Sequence, residues 1–239
     1  MNTRRLIGAA PWVLATTLLA ACGGGEDRPR GTDPFPLSTG DQWALQVSDT
    51  SMANFTETRR VTGTARVDGV DVRVVHVQWS GGGGYDEYYQ RTATEVTRLP
   101  PSNATVHELA IGPVVTLKLP LTNGQRWTQY DTMVAGDEDW DGDGLVDPVH
   151  EYAETSVQGP IMVTTPVGTF NDAYEVTTGL TETMVGTRDG DTVWTLTVTK
   201  DVYVPGIGVV QRYRSVTPQD GPRSYIRNDT LTGYAVAMP

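Results

Sequence analysis

Residues 137–147 carry five aspartates and one glutamate, and the acids are ordered rather than merely crowded. Asp139, Asp141 and Asp143 fall on alternate residues, Gly144 follows, and Asp147 stands beyond it. Counted from Asp139, these are positions one, three, five, six and nine of a loop. Carboxylates at that spacing turn inward around a hard divalent cation, the glycine permits the sharp bend, and the carbonyl of Leu145 at position seven adds a neutral oxygen. Position twelve, where a bidentate carboxylate would complete the shell, is His150. Glu151 can serve there only if the loop is one residue longer. The competing reading is a solvated acidic hairpin tip that contributes to solubility.

The pattern resembles the D-x-D-x-D-G calcium loops of EF-hands, dockerins and thrombospondin type 3 repeats. That resemblance implies Ca²⁺ as the bound ion, with Asp139, Asp141, Asp143, Leu145 and Asp147 as ligands and Glu151 as the candidate to close the shell. Neither flank has a 3.6-residue apolar period, so residues 137–151 read as a calcium loop inserted in a β-hairpin. Affinity is expected in the weak range of extracellular modules.

The second residue with chemistry is the single cysteine. One thiol in 239 residues excludes an intrachain disulfide framework, a thiolate zinc cluster and an iron–sulfur site. Residues 1–5 hold two arginines and no acid, residues 6–18 are apolar, and Leu19-Ala20-Ala21-Cys22 follows at once. This is the order of an export signal, and the apolar run, interrupted by Pro11, is too short for a membrane span. Leu19-Ala20-Ala21-Cys22 resembles the lipobox of bacterial lipoproteins. The resemblance implies cleavage before Cys22, a diacylglyceryl group on its thiol and an acyl chain of the palmitate kind on its amine. Several acyl chains suffice for stable membrane anchoring. Gly23 stands where an aspartate would retain the protein at the inner membrane, so the outer membrane is expected, on its periplasmic or its outer face. Thr3-Arg4-Arg5-Leu6-Ile7 partly matches a twin-arginine signal and leaves the export route open. Removal of the two arginines with residues 1–21 takes the net charge from −11 to −13. Residues 22–36, rich in Gly, Pro and charge, read as a lipidated tether.

Enzymatic chemistry is not expected. His76, His107 and His150 sit in separate contexts, His76 reading as a packed strand histidine. The chain has no Gly-x-Ser-x-Gly elbow, His-Glu-x-x-His, P-loop or Gly-x-Gly-x-x-Gly. The adjacent acids Asp86/Glu87 and Glu138/Asp139 would point to opposite faces of a strand and cannot act as a pair. Trp79, Tyr85, Tyr88 and Tyr89 flank the glycines 81–84; they read as core and cross-strand pairs, or as a rim for a sugar or peptide. Nucleic acid is excluded as a partner by the acidic balance and by the presence of only two lysines, Lys118 and Lys200.

The elements that must position these residues are strands. Thr and Val supply 34 and 29 residues, β-branched types that favour pleated sheet, and turn formers recur about every ten residues. Alternating segments are expected over 43–47, 59–67, 70–79, 85–91, 94–99, 127–130, 151–158, 161–165, 173–178, 183–187, 192–204 and 208–216. A final pair, 224–227 and 232–236, would close or cover an edge. Pro36, Leu37, Gly40 and Trp43 recur in place as Pro120, Leu121, Gly124 and Trp127, each group a glycine turn that delivers a tryptophan into a strand. The expected organisation is therefore a first β module over 37–119 and a related second module over 120–239. All-β antiparallel meanders would form a curved sheet, half-barrel or sandwich.

Thr165-Pro166-Val167-Gly168-Thr169-Phe170 with Ala173-Tyr174-Glu175-Val176, and later Tyr203-Val204-Pro205-Gly206-Ile207-Gly208-Val209-Val210, resemble two signatures of an uncharacterised family of secreted bacterial lipoproteins. The resemblance implies a curved antiparallel half-barrel of the kind seen in lipoprotein carriers and supplies no catalytic residues. Read physically, Gly168 and Phe170 turn a corner, and Pro205-Gly206 breaks a long strand with a bulge.

The function expected from these features is that of a lipid-anchored cell-envelope β protein with a Ca²⁺-stabilised loop, acting as a binding or structural module on a protein, a glycan or an apolar ligand. The alternative is a periplasmic carrier of a lipid or other apolar ligand in a half-barrel cavity; a hydrolase is disfavoured. A continuous apolar pocket of several hundred Å³ would mark the carrier, and a filled core the module.

Overall fold

The structure is a computed structural model that describes residues 31–237 except 102 and 137; the leader and Cys22 lie outside the described residues. Alternation of buried and exposed side chains produces six strands in the first half: β1 (Gln42–Asp49), β2 (Phe55–Val67), β3 (Val70–Trp79), β4 (Gly84–Arg91), β5 (Glu95–Leu99) and β6 (Val114–Lys118). Six more follow: β7 (Arg126–Val134), β8 (Val149–Thr165), β9 (Gly168–Val185), β10 (Thr192–Val204), β11 (Gly208–Pro218) and β12 (Tyr225–Ala235).

Every pairing is antiparallel, and the sheet order is β6-β5-β4-β3-β2-β1-β12-β11-β10-β9-β8-β7. Each half is thus a meander in chain order, and the β1–β12 ladder joins the two into one twelve-stranded sheet. The sheet curls until its edge strands, β6 and β7, approach one another without forming a ladder. The result is a nearly closed all-β barrel, which agrees with the curved-sheet and half-barrel expectation and not with the sandwich. One hydrophobic cluster spans both halves, with Leu45, Val61 and Val75 packed in the same core as Val157, Val176, Val204 and Leu231.

The repeated turns are built alike. Gly40 N donates to Val61 O at 2.8 Å and Gly124 N to Val157 O at 2.9 Å, while Val61 N and Val157 N return bonds to Asp41 O and Gln125 O, both at 2.9 Å. Gly40 and Gly124 adopt φ of +100° and +80°, which side-chain-bearing residues avoid. Leu37 and Leu121, and Trp43 and Trp127, are all buried. The Asp68-Gly69 hairpin also forms as its sequence requires, with φ of 49° and 83°.

Several segments differ from the sequence reading. The expected strands 151–158 and 161–165 are one strand, β8, with a register shift between Gln158 and Ile161 beside Gly159-Pro160. Likewise 173–178 and 183–187 merge into β9. The final pair is a single strand, β12, that lies between β1 and β11 rather than covering an edge. Pro205-Gly206 forms the turn between β10 and β11; the bulge sits at Val202/Tyr203. A short helix, α1 (Val106–Ile111), precedes β6. It starts on a capping box in which Thr105 accepts from Glu108 N and Glu108 accepts from Thr105 N. The last residues of the expected tether are held against the barrel: Asp33 pairs with Arg91, Gly206 N donates to Asp33 O at 2.7 Å, and Arg91 donates to Phe35 O at 2.9 Å.

Candidate functional site

The interior of the barrel is not filled. A cavity of about 330 Å³ lies against inward residues of both halves, bounded at one side by Phe35. The Phe35 ring stacks obliquely between Tyr89, at 5.0 Å, and Tyr203, at 6.2 Å. These tyrosines head two matching groups. On the first meander, Tyr89 donates to Glu87 at 2.9 Å and Arg59 pairs with the same carboxylate. On the second, Tyr203 donates to Asp201 at 3.4 Å, and Arg212 grips Asp201 with two bonds of 2.6 and 3.1 Å. In both strands the order is acid, one residue, tyrosine. The two-residue period of a strand puts both side chains on the inward face.

Burial and pairing set the charge states. Burial alone would penalise the Arg59 guanidinium, but Glu87 more than restores its charge, and its pKa rises. Arg212 behaves the same way through Asp201. Burial pushes the Glu87 carboxyl up, while Arg59 and Arg212 pull it further down, below its ordinary value. Tyr89 and Tyr203 are held neutral by burial first and by Glu87 and Asp201 second. Arg59, Glu87 and Arg212 therefore stay charged at neutral pH. The cavity wall also carries Arg98, Arg214 and Arg227. Arg227 is committed to Asp229, at 2.8 Å, and to Glu57, at 2.6 Å.

Of the aromatic residues flanking the glycines 81–84, Tyr85 lines this cavity, Tyr89 is buried in it, and Trp79 packs on Tyr85 at 5.8 Å. His76 is not packed: its ring is exposed and bonds Asp86 at 2.7 Å on the outer face. Asp86 and Glu87 do point to opposite faces, as the strand period requires.

The acidic loop bridges β7 and β8. Asp139, Asp141 and Asp147 each offer an oxygen within 4.8 Å of the others. Asp147 is fully buried; its Oδ2 accepts from Trp140 N at 2.7 Å and Asp141 N at 3.3 Å, and its Oδ1 from Thr187 N at 2.7 Å. Burial pushes the Asp147 carboxyl up, but these backbone donors hold it below its ordinary value. Asp139 accepts from the N–H groups of Gly142, Asp143 and Gly144, so all three inward acids are fixed in place. Asp143 lies outside the trio. Its carboxylate accepts from Leu145 N at 2.8 Å and from Thr187 Oγ1 at 2.9 Å, and the Leu145 side chain faces solvent. The oxygen-only donor set fits a hard cation such as Ca²⁺. Thr187 and Arg188, from the β9–β10 connection, complete the scaffold, with Arg188 N donating to Asp141 at 2.8 Å.

Glu151 does not join the trio. Because β8 already begins at Val149, Glu151 is a strand residue, buried, with His107 Nε2 at 2.5 Å from its Oε1. Glu182 stands directly opposite in the β8–β9 ladder. His150, at the formal twelfth position, bonds Asp131 at 2.7 Å.

No known protein family and no curated protein matches the chain. Two solved structures are similar in fold. One is a candidate lipoprotein from Parabacteroides distasonis, at TM-score 0.44 and 11% identity, covering 87% of this chain and 100% of that one. The other is a candidate exported protein with a YmcC-like fold from Bacteroides fragilis, at TM-score 0.40 and 14% identity, covering 84% of this chain and 98% of that one.

Proposed function

We propose that this chain is a lipid-anchored cell-envelope binding module that receives a small ligand inside its barrel. The observation that carries the reading is the cavity of about 330 Å³ enclosed by both meanders, a volume in the range of small-molecule sites. Its wall is not the continuous apolar surface an apolar-ligand carrier needs, because charged Arg59, Glu87, Asp201 and Arg212 interrupt it. Binding rather than catalysis is the fitting role, since those groups are locked in ion pairs and none of the three histidines lines the cavity. The signal and Leu19-Ala20-Ala21-Cys22 support export and anchoring through Cys22 at the outer membrane. The acidic loop, with Asp139, Asp141 and Asp147 converged, is read as a Ca²⁺ clamp that ties the β7–β8 connection to the β9–β10 connection.

The test is native mass spectrometry of the full chain expressed in a bacterium with its own leader and purified from membranes. The expected result is a mature chain starting at acylated Cys22 with a non-covalent small-molecule adduct. Cys22→Ala should move the protein out of the membrane fraction. A chain free of both acyl groups and adduct would overturn the reading.

A further inference from the structure

We propose that the barrel cavity takes an organic anion, a carboxylate or phosphate on a short apolar or aromatic body, held by Arg59, Arg98, Arg212 and Arg214. This rests on the reading of the barrel as a binding module and adds the charge of what it binds.

The inference begins with a reversal of sign. The chain carries a net charge of −11, yet the cavity wall holds five arginines against only two carboxylates, Glu87 and Asp201. Each of these acids is matched to one arginine, Glu87 to Arg59 and Asp201 to Arg212. Arg227 is neutralised by Asp229 and Glu57 behind the wall. That leaves Arg98 and Arg214, neither of which has an ion-pair partner among the described residues. Arg214 stands directly opposite Arg227 in the β11–β12 ladder, so the guanidinium without an ion pair sits beside the one that is fully paired.

The donors are also of the right kind. A guanidinium presents five N–H groups in a planar fork that suits carboxylate and phosphate oxygens. Arg59 bonds Glu87 and lies 3.9 Å from Glu57, and Arg212 makes two bonds to Asp201, which leaves N–H groups of both available to the cavity they line. Arg98 and Arg214 are exposed, so they stand at the openings while Arg59 and Arg212 stand within. Arg98, with Tyr85, Glu87 and Gln129, also borders a second cavity of about 190 Å³ under α1. The wall also carries aromatic side chains: Phe35, Trp43, Tyr89 and Tyr203 offer rings to the body of a ligand. Arginines interleaved with aromatic faces describe an amphiphilic anion rather than inorganic phosphate or a neutral lipid.

The test compares two isosteric probes, 2-naphthoate and the neutral 2-naphthamide. Each is titrated calorimetrically into the full chain in detergent micelles, with the heat of titration into empty micelles subtracted. Naphthoate is expected to bind one per chain and at least about tenfold tighter than the amide. Arg98→Gln/Arg214→Gln, which breaks no described ion pair, should weaken naphthoate by at least about tenfold and leave amide affinity and melting temperature unchanged. Equal affinity for the two probes, or naphthoate binding unaltered in the double variant, overturns the anion assignment and leaves the binding module standing. No binding of either probe overturns both.

Discussion

Trp127, on β7, donates its indole N–H to the carbonyl of Val115, on β6, at 3.0 Å, and so bridges the seam where the barrel lacks a ladder. Its counterpart in the repeat, Trp43, donates to Ile207 O at 2.5 Å in the β10–β11 turn. Each tryptophan thus serves a carbonyl that its own strand pairing does not reach. Gly208 makes room for Trp43: a Cβ there would lie 3.2 Å from Trp43 Nε1.

Trp43→Phe and Trp127→Phe should both destabilise the fold, because each leaves a backbone acceptor without its donor. Ile207 is fully buried, whereas Val115 lies on a sheet edge and is only half-buried. The Trp43 variant should therefore lose more, on the order of 1–3 kcal/mol for the unsatisfied carbonyl, with the Trp127 variant nearer the lower end. Urea denaturation monitored by far-ultraviolet circular dichroism measures both, and an equal or reversed order would contradict the assignment.

The Arg212–Asp201 pair has a different signature. Removing one partner strands a charge in the wall, so Arg212→Met should cost about 3–5 kcal/mol. Arg212→Met/Asp201→Leu removes both charges and should recover most of that loss, since a packed apolar pair is often as stable as the buried ion pair it replaces. Denaturant midpoints of the two variants decide the matter. A double variant as unstable as the single one would mean that Arg212 acts through packing alone.

The acidic loop predicts a calcium response. Binding to the folded state alone raises stability by about 1.4 kcal/mol when free Ca²⁺ is ten times its dissociation constant. The melting temperature should rise at millimolar Ca²⁺ and be restored by chelation. Asp139→Asn should abolish the rise, as Asp139 is one of the three converged acids. Glu151→Gln should leave it intact, because Glu151 is paired with His107 outside the trio. Calorimetry without heat at millimolar Ca²⁺ would refute the clamp.

That contrast marks how far the sequence could be read. Local order was visible: the Thr/Val alternation, the Asp68-Gly69 turn, the paired Trp43 and Trp127 turns, and the inward spacing of Asp139, Asp141 and Asp147 are all set by residues near one another. Glu151 stands apart from the converged acids because the loop's end depends on where β8 begins, and β7 and β9 fix that by pairing at Val149. Thr187 and Arg188 are 40 or more residues from the acids they support, and no local signal joins them. The arginine cavity was hidden for the same reason. Its two acid-x-tyrosine strands, Glu87 to Tyr89 and Asp201 to Tyr203, face each other only because the sheet curls. The capping box of α1, Thr105 with Glu108, is a local signature, but six residues are too few for a helical apolar period to accompany it.

Glu151 supplies a pH dependence of its own. Burial is the main reason its pKa is raised; His107 offsets part of that, and Glu182 across the ladder adds to it. Neither Glu151 oxygen has an aligned hydrogen-bond donor among the described residues, so the ionised form is poorly compensated. The sign follows from the direction of the shift. A carboxyl that holds its proton more tightly when folded favours the fold at and below its ordinary pKa, and that contribution is lost as pH rises through the raised value. Stability from this group therefore falls from mildly acidic to alkaline pH. Glu151→Gln keeps the shape and removes the charge, so it should melt higher than the parent at pH 8, with the gap closing toward pH 4.5. Melting temperatures of both proteins across that range test it. A constant difference would show that the His107 contact, rather than the buried charge, governs the site.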